Sequence, residues 1–289
     1  MPNQKTKFFI VLAAVILIPA FLAPLIYPLL KQWFPFERIL SRLVMIFAFI
    51  GIAFLIGKDK LVFQRYGYTA DKRWLHWLAW GFFLGVATIL AIEVFETLLG
   101  AFQVGIRVKA NRIPERIFKA FFTALLIGST EEFFFRGFVF LSLTKLMGTK
   151  KSLLLTNAFY AIVHFFRGAK QEWLAPTVLD SFRVLANWFT VFVKWQDIVP
   201  QFLGLMFFGC ILNYAFIKTR SLYLPVGLHA GAVFFLKVDV MFFGATGEYP
   251  VWLYGGRDFY SGIYGWIFLT GLFLILYFRL RKNASPALA

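Results

Sequence analysis

The decapeptide Gly128-Ser129-Thr130-Glu131-Glu132-Phe133-Phe134-Phe135-Arg136-Gly137 sets two adjacent carboxylates and a guanidinium inside an otherwise apolar stretch. Ionisable side chains are expensive in a bilayer, and there they mark functional sites by default. On a helix Glu132 and Arg136 are four residues apart and can form an ion pair. Glu131 points about 100° away from that pair. One carboxylate is thus neutralised locally while the other faces a different neighbour. The plainer alternative is that both glutamates serve only to pair with Arg136 or with another helix.

Two further segments carry polar groups among apolar ones. Asn157, Tyr160 and His164 recur at helical spacing and share one face. His229 lies in Leu224-Pro225-Val226-Gly227-Leu228-His229-Ala230-Gly231, where small residues permit close helix approach. His76, between Trp74 and Trp77, reads as an interfacial residue outside any site.

A glutamate with two imidazoles suits hydrolysis. A carboxylate screened from bulk water is a candidate general base. One imidazole can help hold the attacking water, and another can donate to the oxyanion that forms at a peptide carbonyl. The same side chains could instead bind zinc. The sequence lacks the His-Glu-x-x-His helix of common zinc proteases, which places the metal version second.

With these residues in view, the chain resembles the CAAX-protease and bacteriocin-processing (Abi) family of intramembrane glutamic endopeptidases. Glu131, Glu132 and Arg136 match its Glu-Glu-x-x-x-Arg motif. Tyr160 and His164 match an aromatic-x-x-x-His motif in which Phe is usual, and His229 matches a third motif. Val233 stands where that third motif has Asn or a similar polar residue. The resemblance covers about residues 115–240. It implies that Glu131 and His164 activate water, that His229 supplies an oxyanion donor, and that Glu132 and Arg136 support them. Loss of one oxyanion donor typically costs about 10²–10³ in rate. Asn213 on a neighbouring helix is a candidate replacement for the missing group. The resemblance further implies a membrane-associated protein or peptide substrate and no cofactor.

The elements that must position these residues are apolar helices. The chain is 60% hydrophobic and 15% charged, whereas soluble domains sit near 45–50% and 25%. That composition predicts an all-α, polytopic transmembrane bundle. A span needs about 20 apolar residues. Clear candidates are 8–30, 39–57, 74–98, 199–217 and 259–280, joined by 117–145, 152–166 and 222–243, which makes about eight. Residues 178–194 read as an interfacial or re-entrant helix, with Asp180 and Arg183 able to pair. No repeat or linker divides the chain, so residues 1–289 read as one integral membrane domain.

The net charge of +16 falls in short clusters, such as Lys58–Lys60, Lys72–Arg73, Arg107–Lys109–Arg112 and Lys150–Lys151. These suit anchoring to anionic lipid, and no segment offers a soluble domain for nucleic acid. The N-terminal apolar run is too long for a signal peptide and reads as a retained first span. Cys210 is the one cysteine, so an intrachain disulfide and a thiolate metal cluster are excluded. Charge bias leaves the orientation open, and a bacterial inner membrane is the expected location. Two rivals remain at this stage: a non-catalytic scaffold or immunity protein, favoured by Val233, and a transporter using Glu and His as a proton relay.

Overall fold

The computed structural model describes residues 4–56, 67–68, 72–166, 173–247, 249–255 and 258–282. The Lys58–Lys60 cluster lies outside these residues. Within them the chain is helical apart from one short ribbon, as the composition predicts. Among the described residues five helices are long and apolar enough to cross a membrane: Phe9–Leu30, Trp74–Leu98, Ile198–Thr219, Tyr223–Met241 and Ile263–Leu280. The three other expected segments also fold as helices, although the stretch around 152–166 has only 15 helical residues, Thr149–Val163. At 1.5 Å per residue that is about 22 Å, short of a hydrocarbon core of about 30 Å.

Backbone contacts gather into two compact units, residues 1–62 with 163–198, and residues 63–162 with 199–289. The first unit is built on α1 (Gln4–Leu30) and α2 (Phe36–Ile56), which pack along each other. Ala23, Tyr27, Phe36, Ile39 and Leu40 form its core with Val184 of α7 (Val178–Asn187). The region around 178–194 resolves into this short helix and a single-turn 3₁₀ stretch, Thr190–Lys194, too short to span. Thr177 and Asp180 close a capping box at its start, and Asp180 also takes Arg183 at 2.9 Å. The Trp173 indole donates to Glu37 at 2.7 Å, while Tyr27 donates to the Trp173 carbonyl at 2.9 Å.

The second unit is organised around α9 (Tyr223–Val238), which packs most extensively on α3 (Trp74–Leu98) and then on α4 (Ile113–Glu132). Its span is 67% buried, which marks α9 as the central shaft of this unit. The expected helix 117–145 is not continuous. It runs as α4, a π-helical stretch Phe133–Phe140, and α5 (Leu141–Met147). After it come α6 (Thr149–Val163), α8 (Trp195–Thr219), α10 (Val251–Tyr254) and α11 (Ile263–Leu280). Strand β1 (Phe102–Val104), after α3, pairs antiparallel with β2 (Phe243–Ala245), after α9, and ties those two helix ends together.

Candidate active site

Close packing of α9 comes first, because it sets where His229 stands. Gly81 and Gly85 of α3 face Gly227 and Gly231 of α9, two Gly-x-x-x-Gly pairs against each other. A methyl group at Gly81 would sit 2.6 Å from the Leu224 carbonyl oxygen, and one at Gly231 would collide with the Phe82 carbonyl. The backbones therefore touch, as small-residue crossings in membranes allow. On the α4 side, Gly128 lets the chain pass 3.1 Å (measured from an added methyl) from the Val226 carbonyl and the Ala230 amide. His229, between the two glycines of α9, is thereby carried against the C-terminal end of α4, where the glutamates lie.

There Glu132 and Arg136 are wholly buried and His229 is 3% exposed. Glu132 Oε1 accepts from Arg136 Nη1 at 2.9 Å and lies 2.7 Å from His229 Nδ1. The ion pair expected from spacing is therefore present, and it has a third member. A carboxylate at hydrogen-bond distance from Nδ1 places the ring proton on that nitrogen, which in the neutral ring leaves the lone pair on Nε2. Nε2 lies 3.9 Å from Glu131 Oε2. Glu131, unlike its neighbour, keeps 28% of its side chain exposed.

Both terminal nitrogens of Arg136 are engaged. Its Nη2 donates to the Gly209 carbonyl at 3.2 Å, and its guanidinium lies 4.5 Å from the centre of the Tyr160 ring. A buried guanidinium stacked on an aromatic face gains both charge–quadrupole attraction and packing. Behind it, Asn213 donates to Asn157 at 2.8 Å, and Asn157 donates to Cys210 Sγ at 3.2 Å. Gly209 is required here, since a methyl would lie 2.6 Å from Asn157 Oδ1. Cys210 is thus a packing and accepting group. The Asn213 amide is thereby engaged by Asn157.

Asn157 and Tyr160 sit where their helical spacing predicts, on the buried face of α6. His164 does not continue that helix. Alpha-helical structure stops at Val163, and His164 is half-buried in the turn closed by the Phe166 amide on the Val163 carbonyl. The expectation of a mid-helix His164 is corrected accordingly; the sequence after it turns to Arg167 and Gly168, poor continuation for an apolar helix. His164 belongs to the first unit, whereas Glu131, Glu132, Arg136, Asn157, Tyr160, Asn213 and His229 belong to the second. Val233 is half-buried one turn beyond His229 on α9. His76 is exposed at the start of α3, its ring edge-on to Trp77.

Three contributors have no signature in the sequence. Phe208 meets the His229 ring edge-on at 6.0 Å between centroids, opposite the already expected Tyr160 at 6.2 Å. Tyr68 donates to the Ser129 carbonyl at 3.2 Å and stacks on Phe133, covering α4 just before and after the glutamates. The π-helical stretch begins directly after Glu132, and such stretches recur at functional sites.

Among the described residues no three His, Cys, Asp or Glu side chains are gathered for a metal. Glu132 is already engaged by a guanidinium and an imidazole.

Residues 113–235 match the family model described as type II CAAX prenyl endopeptidase Rce1-like. Neither the curated proteins nor the solved structures contain a significant match to the chain. The match spans α4 to α9, and so includes each of the three motif segments. The segment 113–235 thus resembles an Rce1-like CAAX-protease domain, within a chain whose long apolar helices mark an integral membrane protein.

Proposed function

We propose that the protein is an intramembrane endopeptidase that hydrolyses a peptide bond of a membrane-associated protein or peptide, using a water activated by glutamate and histidine. The observation that carries this reading is the pairing of a partly exposed Glu131 with a buried, oriented His229. The Glu131 Oε2 to His229 Nε2 separation of 3.9 Å is too long for a direct hydrogen bond, yet one water can reach both at ordinary distances of about 2.8 Å.

In this mechanism Glu131 orients the water and takes its proton as the oxygen attacks the carbonyl carbon. The neutral His229 ring accepts through Nε2. It becomes an oxyanion donor once Glu131 passes to Nε2 the proton taken from the water, and Glu132 stabilises that imidazolium through Nδ1. The leaving amine then collects that proton from His229, and the carbonyl reforms. Arg136 holds Glu132 in place rather than touching substrate. No metal enters the scheme. The proposed setting is a bacterial inner membrane, with the bilayer supplying both solvent and substrate.

Cells producing the wild type and Glu131→Gln provide the test. A membrane-protein fragment that appears only with the wild type is expected. Identical membrane proteomes would leave the non-catalytic scaffold, which Val233 favours, as the better reading.

A further inference from the structure

At the opposite end of α4 from the glutamates lies a cleft of about 280 Å³ lined by Arg116, Lys119, Ala120, Thr123 and Lys237. Arg112, Arg116, Lys119 and Thr123 follow one another by four, three and four residues, so they form a single stripe on α4. Lys237 joins them from the last turn of α9. The floor is apolar: Ala120, Val238 and Met241 form a buried cluster with Val108 packed on it. The acidic neighbours are few. Glu115 pairs with Arg112 and Lys119, and Asp239 is buried with its carboxylate on the Val240 amide. Around the cleft, four cations (Arg112, Arg116, Lys119, Lys237) against Glu115 and Asp239 leave a formal +2.

This arrangement fits a particular kind of anion. Two ammonium groups, a guanidinium and a hydroxyl line one shallow, open depression, which is the chemistry that receives a phosphate at a surface. The neighbouring stripe of α4 consists of exposed Phe118, Phe122 and Leu126, each one turn deeper along the helix. A basic headgroup site continued by an apolar, lipid-facing track describes an amphiphile rather than a free ion. We propose that this cleft binds the phosphate headgroup of an anionic phospholipid, whose acyl chain lies along Phe118, Phe122 and Leu126. The site stands apart from the catalytic proposal: Lys119 is about 18 Å along α4 from Glu131, and lipid binding there needs no proteolysis.

The test uses detergent-purified full-length protein and reads thermal stabilisation by added phosphatidylglycerol, phosphatidylcholine or inorganic phosphate. Phosphatidylglycerol is expected to stabilise at concentrations at least tenfold below phosphatidylcholine, with inorganic phosphate giving no comparable shift. The triple variant Arg116→Gln/Lys119→Gln/Lys237→Gln should lose that preference while eluting as the wild type does. Glu115→Gln, which releases Lys119, should keep the preference or strengthen it. Equal stabilisation by the two lipids, an unchanged preference in the triple variant, or an equal shift with inorganic phosphate would each overturn the proposal. If the triple variant fails to fold, native mass spectrometry of the wild type with both lipids decides, and equal retention of the two overturns it.

Discussion

Glu131 and Glu132 are adjacent in the chain and have opposite circumstances in the fold. Glu132 is buried, bonded to a guanidinium and to an imidazole; the Glu131 side chain is partly exposed, while its Oε2, the oxygen nearest His229 Nε2, is buried. Their substitutions should therefore fail differently. Glu131→Gln should fold and lose cleavage by about 10²–10⁴-fold, the usual share of a general base, measured as fragment yield at matched protein levels. Arg136→Ala leaves Glu132 buried without its guanidinium, at a cost of about 3–5 kcal/mol for a broken buried pair. Poor accumulation and an early thermal transition are expected for it, and wild-type stability would show that the pair is not structural. Val233→Asn adds a polar group one turn beyond His229 and should preserve or raise cleavage; a clear loss would remove the oxyanion argument.

At the scale of elements, the α3–α9 crossing determines whether His229 reaches α4 at all. The facing glycines leave no room for a side chain, so Gly85→Leu or Gly231→Leu must push the helices apart. Overpacking of this kind costs about 1–3 kcal/mol and occasionally more. Here the added atoms meet backbone rather than a flexible side chain, which puts the cost at the upper end. Loss of folded protein from either position is expected in a detergent-solubility assay, with Gly271→Leu, which meets nothing nearby, behaving as wild type. The π-helical turn after Glu132 acts at the same scale. It changes the rotation of everything that follows, so residues beyond Arg136 do not stand where a continuous α-helix would put them.

For the molecule as a whole, the number of crossings and the side of each terminus follow from which helices traverse the bilayer. Five do so on length and apolarity among the described residues. We propose that α2, the α4–α5 region and α6 complete eight, with both termini on one side. Cysteines placed singly near each end of a Cys210→Ala background should label from the same side of the membrane; labelling from opposite sides would require an odd count. Chelators should leave cleavage unchanged, since the scheme gives all proton handling to side chains, and zinc-dependent recovery of activity would overturn it.

Local covalent spacing made part of this protein legible without coordinates. A run of about 20 apolar residues has few alternatives to a spanning helix, because backbone polar groups in hydrocarbon must be satisfied within the segment. Four-residue separation on a helix made the Glu132–Arg136 pair readable in the same way. The three motif segments also lie within the stretch that matches the family model. What spacing could not supply was contact between distant segments. That His229 would take Glu132 by Nδ1, that Tyr160 would lie under the guanidinium, and that Phe208, Gly209 and Tyr68 would join the site all depend on packing of helices far apart in sequence. The early end of α6 before His164 and the π-helical turn were equally hidden, since side-chain periodicity does not report a backbone that changes its winding. Tertiary structure alone decided which of two neighbouring carboxylates is wholly buried as a brace and which keeps part of its side chain exposed, because that depends on how distant helices pack around them.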